Sequence, residues 1–584
     1  YKRQPFFILF PLLTSLGAQF VFGYRELGKK GALEAYMYEA FGGAVSGIFL
    51  FILFSTGASN SLIVIVASII TLIPLLAEKK RYIFFACIFI SLLFFSGDIE
   101  NRTKALEWSG WKGYSFVECS QSKYGNIVVM RSEGQISVYD NGILFMSTKP
   151  AEFKEDVVHI PMLEHSSPEY VLIVGGGIES GIREALKYGS YVDYVTLDPK
   201  LIEISEKYLG KIKSEKVRII AMDGRAWIKN ADRRYDVVII NMPDPSNAQI
   251  NRYYTVEFYR EVKAIMREKG VILTKLSSST VYMSEEMKER NSLIYSTLKR
   301  VFRNVLVVPG DTMYMVASDR ELVTSPEELY RRMVERNVSS YFVNLPYLRI
   351  KFYRPYMEYT MKNLFETREI NSDLKPSGYY YTLKLWLRGF SSKFVNYTLY
   401  FLFSLSIILI FISARGFKEI FSSISIFWIG FSEMAVQFIL VILFQSLYGY
   451  VYLWIVAISS FTMLGIGVGA YSGKRIKKPI HTSLCLFSIY MFLLPIAIDF
   501  SFPYLFIFLS FFSGLFPGIV FSASIKIEKD VGALYYISDL IGGSLGSLLV
   551  AITLIPKFGI ESCSIGFAGI SLFLFAIARF VKCD

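Results

Sequence analysis

The sequence predicts a multi-pass α-helical membrane protein of about 11 spans, with an α/β domain inserted after the fourth span and a small β module ahead of that domain. Three observations predict it. Apolar stretches of bilayer-crossing length recur at both ends of the chain, a long polar segment separates them, and inside that segment hydrophobic strands alternate with amphipathic helices.

The composition agrees with two regimes averaged together. Of 584 residues, 53% are hydrophobic and 16% aromatic, yet 19% are charged, with a mean hydropathy of +0.39. That is too apolar for a soluble chain of this size and too charged for a bundle alone. In a membrane protein Lys and Arg gather in the loops of one side, so the net charge of +12 reads as loop charge and not as a nucleic-acid surface. The lipid bilayer is the expected partner, and no nucleic acid is. Five cysteines without a CxxC pair and only three histidines argue against a disulfide framework and against a metal site.

The first four apolar stretches lie near 6–23, 37–57, 61–78 and 82–97. The polar segment runs from 98 to 394, and seven more stretches follow near 396–414, 421–443, 451–471, 481–498, 503–523, 534–555 and 560–580. The expected domains are thus 1–98 (four spans), 99–165 (β module), 166–325 (α/β domain), 326–394 (linker or lid) and 395–584 (seven spans). Tyr1, not Met, opens the chain, a start compatible with a longer precursor; no cleavable signal peptide is expected. Basic residues occupy alternate loops: Arg25, Lys29 and Lys30; Lys79, Lys80 and Arg81; Arg415 and Lys418; Lys474, Arg475, Lys477 and Lys478; Lys526 and Lys529. The intervening loops "STGASN", "QSLYGY" and "DFSF" carry none. Basic loops face the cytoplasm, so the polar domain is expected outside it. Three N-x-S/T sequons, at Asn101, Asn337 and Asn396, are compatible with that placement and equally with chance.

Within the polar segment, residues 122–162 read as short strands with turns at Tyr124-Gly125, Glu133-Gly134 and Asn141-Gly142, the last a hairpin dipeptide. From 170 to 276 the pattern becomes strand, loop, helix, repeated: "YVLIVGGG", "GIREALKYG", "VDYVTLD", "PKLIEISEKYL", "VRIIAMDG", "YDVVIINMPDP", "TVEFYREVKAIM" and "GVILTKL". Such alternation builds a doubly wound, mostly parallel, Rossmann-like sheet, whose ligands bind beyond the carboxyl ends of the strands. Those ends carry Gly175–Gly177, Asp198, Asp223 and Asn241–Asp244.

Taken together, "NGILFMS…EFKEDVVHIPM", "VLIVGGGIESGIREALKY", "LDPKLIEISEKYL", "MDGRAWI" and "NMPDPSNAQINRYYTVEFYREV" resemble the spermidine synthase (polyamine aminopropyltransferase) family from about Ser122 to Ser318. "EINSDLKPSGYYYTLKLW" and "YYISDLIGGSLG" look like its membrane-fused branch. The resemblance implies a class I methyltransferase-type fold in which a strand-end glycine loop and nearby acids hold decarboxylated S-adenosylmethionine or a related nucleoside. It also implies an acid in a D-x-x-D-P loop that deprotonates the attacking amine. The glycines are retained as Gly175, Gly176, Gly177 and Gly181, but Ile178 stands at the acid position of that loop, followed by Glu179. Thr196 replaces the ribose-contacting acid, with Asp198 two residues on; the adenine-facing acid is kept as Asp223, before Gly224. In the proton-transfer loop Asp244 is kept before Pro245, whereas the proton acceptor is Asn241. Upstream, Phe153 and Lys154 stand where the family has Tyr and Gln, and Glu155 is retained. Arg252, Tyr253 and Tyr254 are expected either to line the crevice or to form a surface turn.

An amide accepts no proton at neutral pH. Without acids at 178 and 241, roughly two carboxylates that would bind a diamine are gone, each near pair worth on the order of 4 kcal/mol at an effective dielectric of ~20. Ordinary putrescine chemistry is therefore not expected; Asp244, and Glu179 if it turns inward, are the carboxylates left. Asp198 and Asp223 have a plainer reading as caps of the helices that follow them, and the glycines as close strand–helix packing.

Among the apolar stretches, Glu433 and Gln437 share one helix face, and Asp539 starts "DLIGGSLG". Intramembrane acids face a cavity or a partner, so a polar pocket and a helix–helix hydrogen bond are both open. Gly542 and Gly546 read as close helix packing. Three functions are carried forward. One is a membrane-bound aminopropyltransferase-like protein acting on a non-putrescine substrate. The second is a catalytically degenerate scaffold, with partner subunits of a membrane complex or further copies of itself. The third is a transporter-like bundle with a sensing domain.

Overall fold

The computed structural model describes residues 31–56, 60–78, 83–122, 124–148, 152–388, 404, 416–449, 452–497, 502–527 and 532–581. The expected spans at 6–23 and, but for residue 404, at 396–414 lie outside the described residues. Among the described residues, seven helices are long and apolar enough to cross a membrane: Gly31–Ser55, Phe417–Tyr448, Leu453–Ser472, Pro479–Ala497, Pro503–Lys526, Leu534–Phe558 and Ile560–Phe580. The stretch expected at 82–97 behaves differently. Its helix, Ile83–Phe94, holds 12 residues and breaks at Phe95, and Ser96–Trp108 continues as a polar helix. At 1.5 Å per residue, 12 residues fall well short of a hydrocarbon core about 30 Å thick.

The β module is a four-stranded antiparallel meander, β1 (Ser115–Ser122), β2 (Gly125–Ser132), β3 (Gln135–Asp140) and β4 (Ile143–Ser147). Glu133-Gly134 and Asn141-Gly142 turn with all four φ angles positive (46°, 76°, 50° and 82°), the twist that two-residue hairpins need. The strands expected beyond 150 are instead a helix, Glu152–Glu164. Its Val157, Val158, Ile160 and Leu163 are all buried against the next sheet, and this wide apolar surface overrides a short-strand reading.

That next sheet has seven strands in the order β10-β11-β9-β8-β5-β6-β7, with β5 (Tyr170–Val174), β6 (Tyr191–Thr196), β7 (Val217–Ala221), β8 (Tyr235–Ile240), β9 (Met266–Ser277), β10 (Asn304–Val308) and β11 (Thr312–Ser318). β7, β6, β5, β8 and β9 run parallel, as expected; β11 and β10 add an antiparallel edge. The chain winds from β5 outward to β7, then returns to place β8 on the other side of β5. This reversal opens a crevice at the ends of β5 and β8. β8 is buried at all six positions because helices cover both faces of the sheet.

In the C-terminal bundle, glycines let helices meet backbone to backbone. A Cβ on Gly546 would collide with the Phe431 carbonyl, and one on Gly542 with that of Phe427; Gly465, Gly469, Gly514 and Gly518 make similar notches between Tyr452–Ser472 and Pro503–Ile527. The close packing expected for Gly542 and Gly546 is what the structure has. Asp539 accepts a hydrogen bond from the Tyr36 hydroxyl on another helix (2.9 Å), and Gln437 donates to Glu433 on the same helix (2.5 Å).

One segment ties the bundle to the α/β domain. Asn371, fully buried, donates to Asn251 Oδ1 (3.1 Å) and to the Tyr254 carbonyl (2.9 Å), and its own amide oxygen accepts from Gly378 N (3.0 Å). Three residues on, the Leu374 carbonyl accepts from Ile560 N at a bundle helix start (2.9 Å). Overpacking a tight notch costs roughly 1–3 kcal/mol, so Gly546→Leu is expected to lower the melting temperature of the detergent-purified protein. Gly566→Ala, where a Cβ meets nothing within 4 Å, should leave it unchanged.

Candidate functional site

At the carboxyl end of β5 the chain turns through Gly175 (φ +76°) and Gly176 (φ +72°) before Gly177 caps the helix Ile178–Leu186. Only glycine suits this path: a Cβ on Gly176 would strike the Asn241 side chain, and one on Gly175 the Met242 sulfur at 2.7 Å. Gly181, on the same helix, faces Ile173, where a Cβ would make an ordinary contact at 3.5 Å. Ile178 points into the core, 2% exposed; the side chain of Glu179 lies outside what the structure describes.

A cavity of about 460 Å³ opens over these turns, the size of a small-molecule site. Gly175, Gly176, Gly177, Gly181, Asp198, Asp223, Gly224, Asn241 and Tyr253 all line it; Asp244, Glu155, Arg252 and Tyr254 do not. Asp198 caps the helix Pro199–Leu209 by accepting from Lys200 N (2.9 Å) and receives the Ser122 hydroxyl (2.5 Å) from the β module. Asp223 caps Gly224–Lys229 through Ala226 N (2.9 Å) and is ion-paired to the buried Arg252. The Arg252 guanidinium lies over the Tyr253 ring, 4.8 Å from its centre. Gly449, which ends the long helix Phe417–Tyr448 with φ +81°, abuts this pair; a Cβ there would touch Asp223 Oδ2. The acid expected at the adenine thus carries both a helix cap and an internal cation.

The loop after β8 divides in two. Asn241 stays at the cavity, its N–H bonded to the Val174 carbonyl (2.9 Å), its Oδ1 buried without a hydrogen-bond partner among the described residues. Asp244 turns away: it accepts from Ser277 N (2.9 Å) and pairs with Arg290 (2.7 Å), whose side chain is fully buried. Tyr254, also fully buried, holds the loop from behind: its one hydroxyl proton sits among the Met242, Pro243 and Lys275 carbonyls, with Pro243 O nearest at 2.9 Å. Glu155 accepts from Ser340 Oγ and from Phe342 N (2.8 Å) and so anchors the segment after the sheet.

Two charged lining residues were not anticipated. Asp140, the last residue of β3, has its carboxyl raised to about 6 by burial and by the neighbouring Asp198 charge. Lys275 sits near the end of β9 with its ammonium lowered by burial, a trend that Asp156 and Asp244 oppose. The sequence carried a signal for each: an acid before the Asn-Gly turn, and a lone lysine within "GVILTKL".

Comparison with known proteins decides the family. The profile of the Spermine/spermidine synthase domain matches residues 151–321. A polyamine aminopropyltransferase of Sulfolobus acidocaldarius is 32% identical over 222 residues, 35% of this chain and 70% of that protein. The chain belongs to the polyamine aminopropyltransferase family. Polyamine aminopropyltransferase 2 of Hyperthermus butylicus is 30% identical over 198 residues, 32% of this chain, which spans 64% of that relative's length. A solved structure of spermidine synthase in complex with the transition state analogue AdoDATO aligns at 23% identity and a TM-score of 0.37, covering 43% of this chain and 88% of the other. Among the described residues, no group of three or more His, Cys, Asp or Glu is arranged to hold a metal.

Two outcomes follow from this geometry. Removing Arg290 leaves Asp244 without its buried partner, so Arg290→Leu should destabilise the protein by about 3–5 kcal/mol; Asp244→Asn in that background should recover part of the loss in a denaturant melt. Asp140 has a folded pKa above its unfolded value, so its protonated form stabilises the fold at low pH and that contribution disappears as pH rises through about 6. Against Asp140→Asn, the wild type should therefore lose on the order of 2 kcal/mol between pH 4 and pH 7.

Proposed function

We propose that this protein is a membrane-integrated member of the family that binds an adenosyl-type nucleoside over Gly175–Gly177 and acts, as an alkyl or aminopropyl transferase, on a substrate other than putrescine. The observation that carries the reading is the cavity at the β5/β8 switch point, with an amide at the proton-acceptor position. Asp198 and Asp140 are the carboxylates on the β6 side, and Asp140 is near enough to neutral pH to exchange a proton. Asn241 orients a ligand by hydrogen bonding and takes no proton.

A second reading has an observation of its own. Asp223 and Asp244 are both engaged by buried arginines, and the domain is stitched to the bundle through Asn371 and Leu374. These features suit a scaffold whose inherited acids serve the fold.

Membrane integration is part of the proposal. The seven candidate spans turn large apolar side chains outward, such as Phe492 (60% exposed) and Phe573 (65%), which lipid would cover. The domain meets the bundle at Gly449 and Ile560, whereas Lys418 lies at the other end of the helix that Gly449 closes, and Lys474, Lys477, Lys478 and Lys526 lie at the far ends of neighbouring helices. Under the charge rule this supports an extracytoplasmic domain.

Methylthioadenosine and S-adenosylmethionine should raise the melting temperature of the purified protein saturably, and Gly176→Val should abolish the effect while the protein remains folded. No shift with any adenosyl compound would sink the transferase reading and leave the scaffold. On intact cells, external protease should cleave the exposed loop around Val281-Tyr282; full protection would refute the topology.

A further inference from the structure

We infer that the Asn241–Lys275 end of the cavity is a subsite for a carboxylate, so that the ligand lying there carries an acid group and is not a polyamine. The inference rests on the nucleoside reading proposed above. The sheet order divides the cavity. β7, β6 and β5 end in Asp223, Asp198 and the glycine turns; β8 and β9 end on the other side of the switch point. In the β8–β9 register Ile240 faces Thr274, so Asn241 and Lys275 are the next pair along.

Both residues bring donors that no described residue accepts from. Asn241 Oδ1 is sealed from the cavity, and its Nδ2 has no acceptor among the described residues. The Lys275 ammonium makes no hydrogen bond or ion pair among the described residues, although it lines the cavity. The carboxylates nearest in influence are committed elsewhere. Asp156 accepts from Tyr314 (2.6 Å) and Tyr347 (2.7 Å) and pairs with Lys351 (3.3 Å). Asp244 pairs with Arg290. A half-buried cation without a counter-ion is unfavourable. Asn241 Oδ1 has no surface for a ligand to reach, so the side chain offers its Nδ2–H donors. A diamine would meet repulsion from Lys275 and find no acceptor at Asn241. A carboxylate pairs with Lys275 and accepts from Asn241 Nδ2, and so satisfies both. Two sources have this chemistry: a sulfonium nucleoside that keeps its amino-acid tail, or a separate amino-acid acceptor beside a shorter nucleoside.

Calorimetric titration of the full-length protein in detergent tests the proposal in two arms. The first compares S-adenosylhomocysteine with its decarboxylated counterpart, S-adenosylthiopropylamine. The second saturates the protein with methylthioadenosine and compares 4-aminobutyrate with putrescine, which differ at one end by carboxylate against ammonium. A carboxylate preference of about tenfold or more is expected in one arm, and that arm identifies the source. Lys275→Gln should erase the preference, with retained methylthioadenosine binding reporting a folded variant. Asn241→Asp, which supplies Lys275 with an internal carboxylate, should invert it. Preference for the amine in both arms, or a carboxylate preference that survives Lys275→Gln, overturns the inference while the nucleoside reading stands. Loss of methylthioadenosine binding in the wild type overturns both, and is told apart by that control.

Discussion

The ion pair between Arg252 and Asp223 sits at the junction of everything else in this molecule. Asp223 ends a strand of the parallel sheet, caps the helix after it and lines the cavity. Arg252 follows the short helix Ala248–Asn251, is almost wholly buried, and is covered from outside by Gly449 at the end of a 32-residue helix. A buried guanidinium is tolerable only with a carboxylate against it, because its desolvation would otherwise cost several kcal/mol. The helix terminus adds carbonyl groups that favour a cation. One interaction therefore fixes a wall of the site, the course of the loop after β8 and the seat of the bundle.

The cavity that results is polarised. On the side of β6 and the β module stand Asp140 and Asp198, with the Ser122 hydroxyl between the module and the sheet. On the side of β8 and β9 stand an amide and a lysine. A family that handles polycations is expected to surround them with carboxylates, since charge complementarity sets both affinity and exclusion. Relative to what the resemblance implies, Ile178 and Asn241 each stand where an acid is expected, and Lys275 adds a positive charge on the β9 side, while Asp140, Asp198 and Asp223 still line the rest of the cavity.

Much of this fold was legible in the sequence because strand and helix periods survive burial. "YDVVII" reads as a strand and is one; the Asn141-Gly142 turn reads as a hairpin and is one. The helix Glu152–Glu164 was hidden by Pro161 and by apolar residues on nearly every side, which blur its period. The break at Phe95, which shortens the expected fourth span, is followed at once by Ser96-Gly97, the kind of pair at which helices break. At the site, the glycine turns and the residues at strand ends were legible, since topology alone brings strand ends together. Their partners were not. Arg252 reaches Asp223 across 29 positions and Arg290 reaches Asp244 across 46, and no local pattern announces pairs of that separation. The two readings left open for Asp198 and Asp223, cap or cavity group, prove compatible: each is both.

Gly449 places the backbone of a long apolar helix against the side chains that build the site wall. Thermodynamic linkage then runs both ways. Any molecule that binds the cavity and favours one setting of Arg252 and Asp223 would change the free energy of seating that helix; in the membrane-integrated reading proposed above, a change in the bilayer that tilts the helix would change affinity in the cavity by the same amount. A helix end with no side chain of its own would then make the lipid environment a co-ligand of the α/β domain.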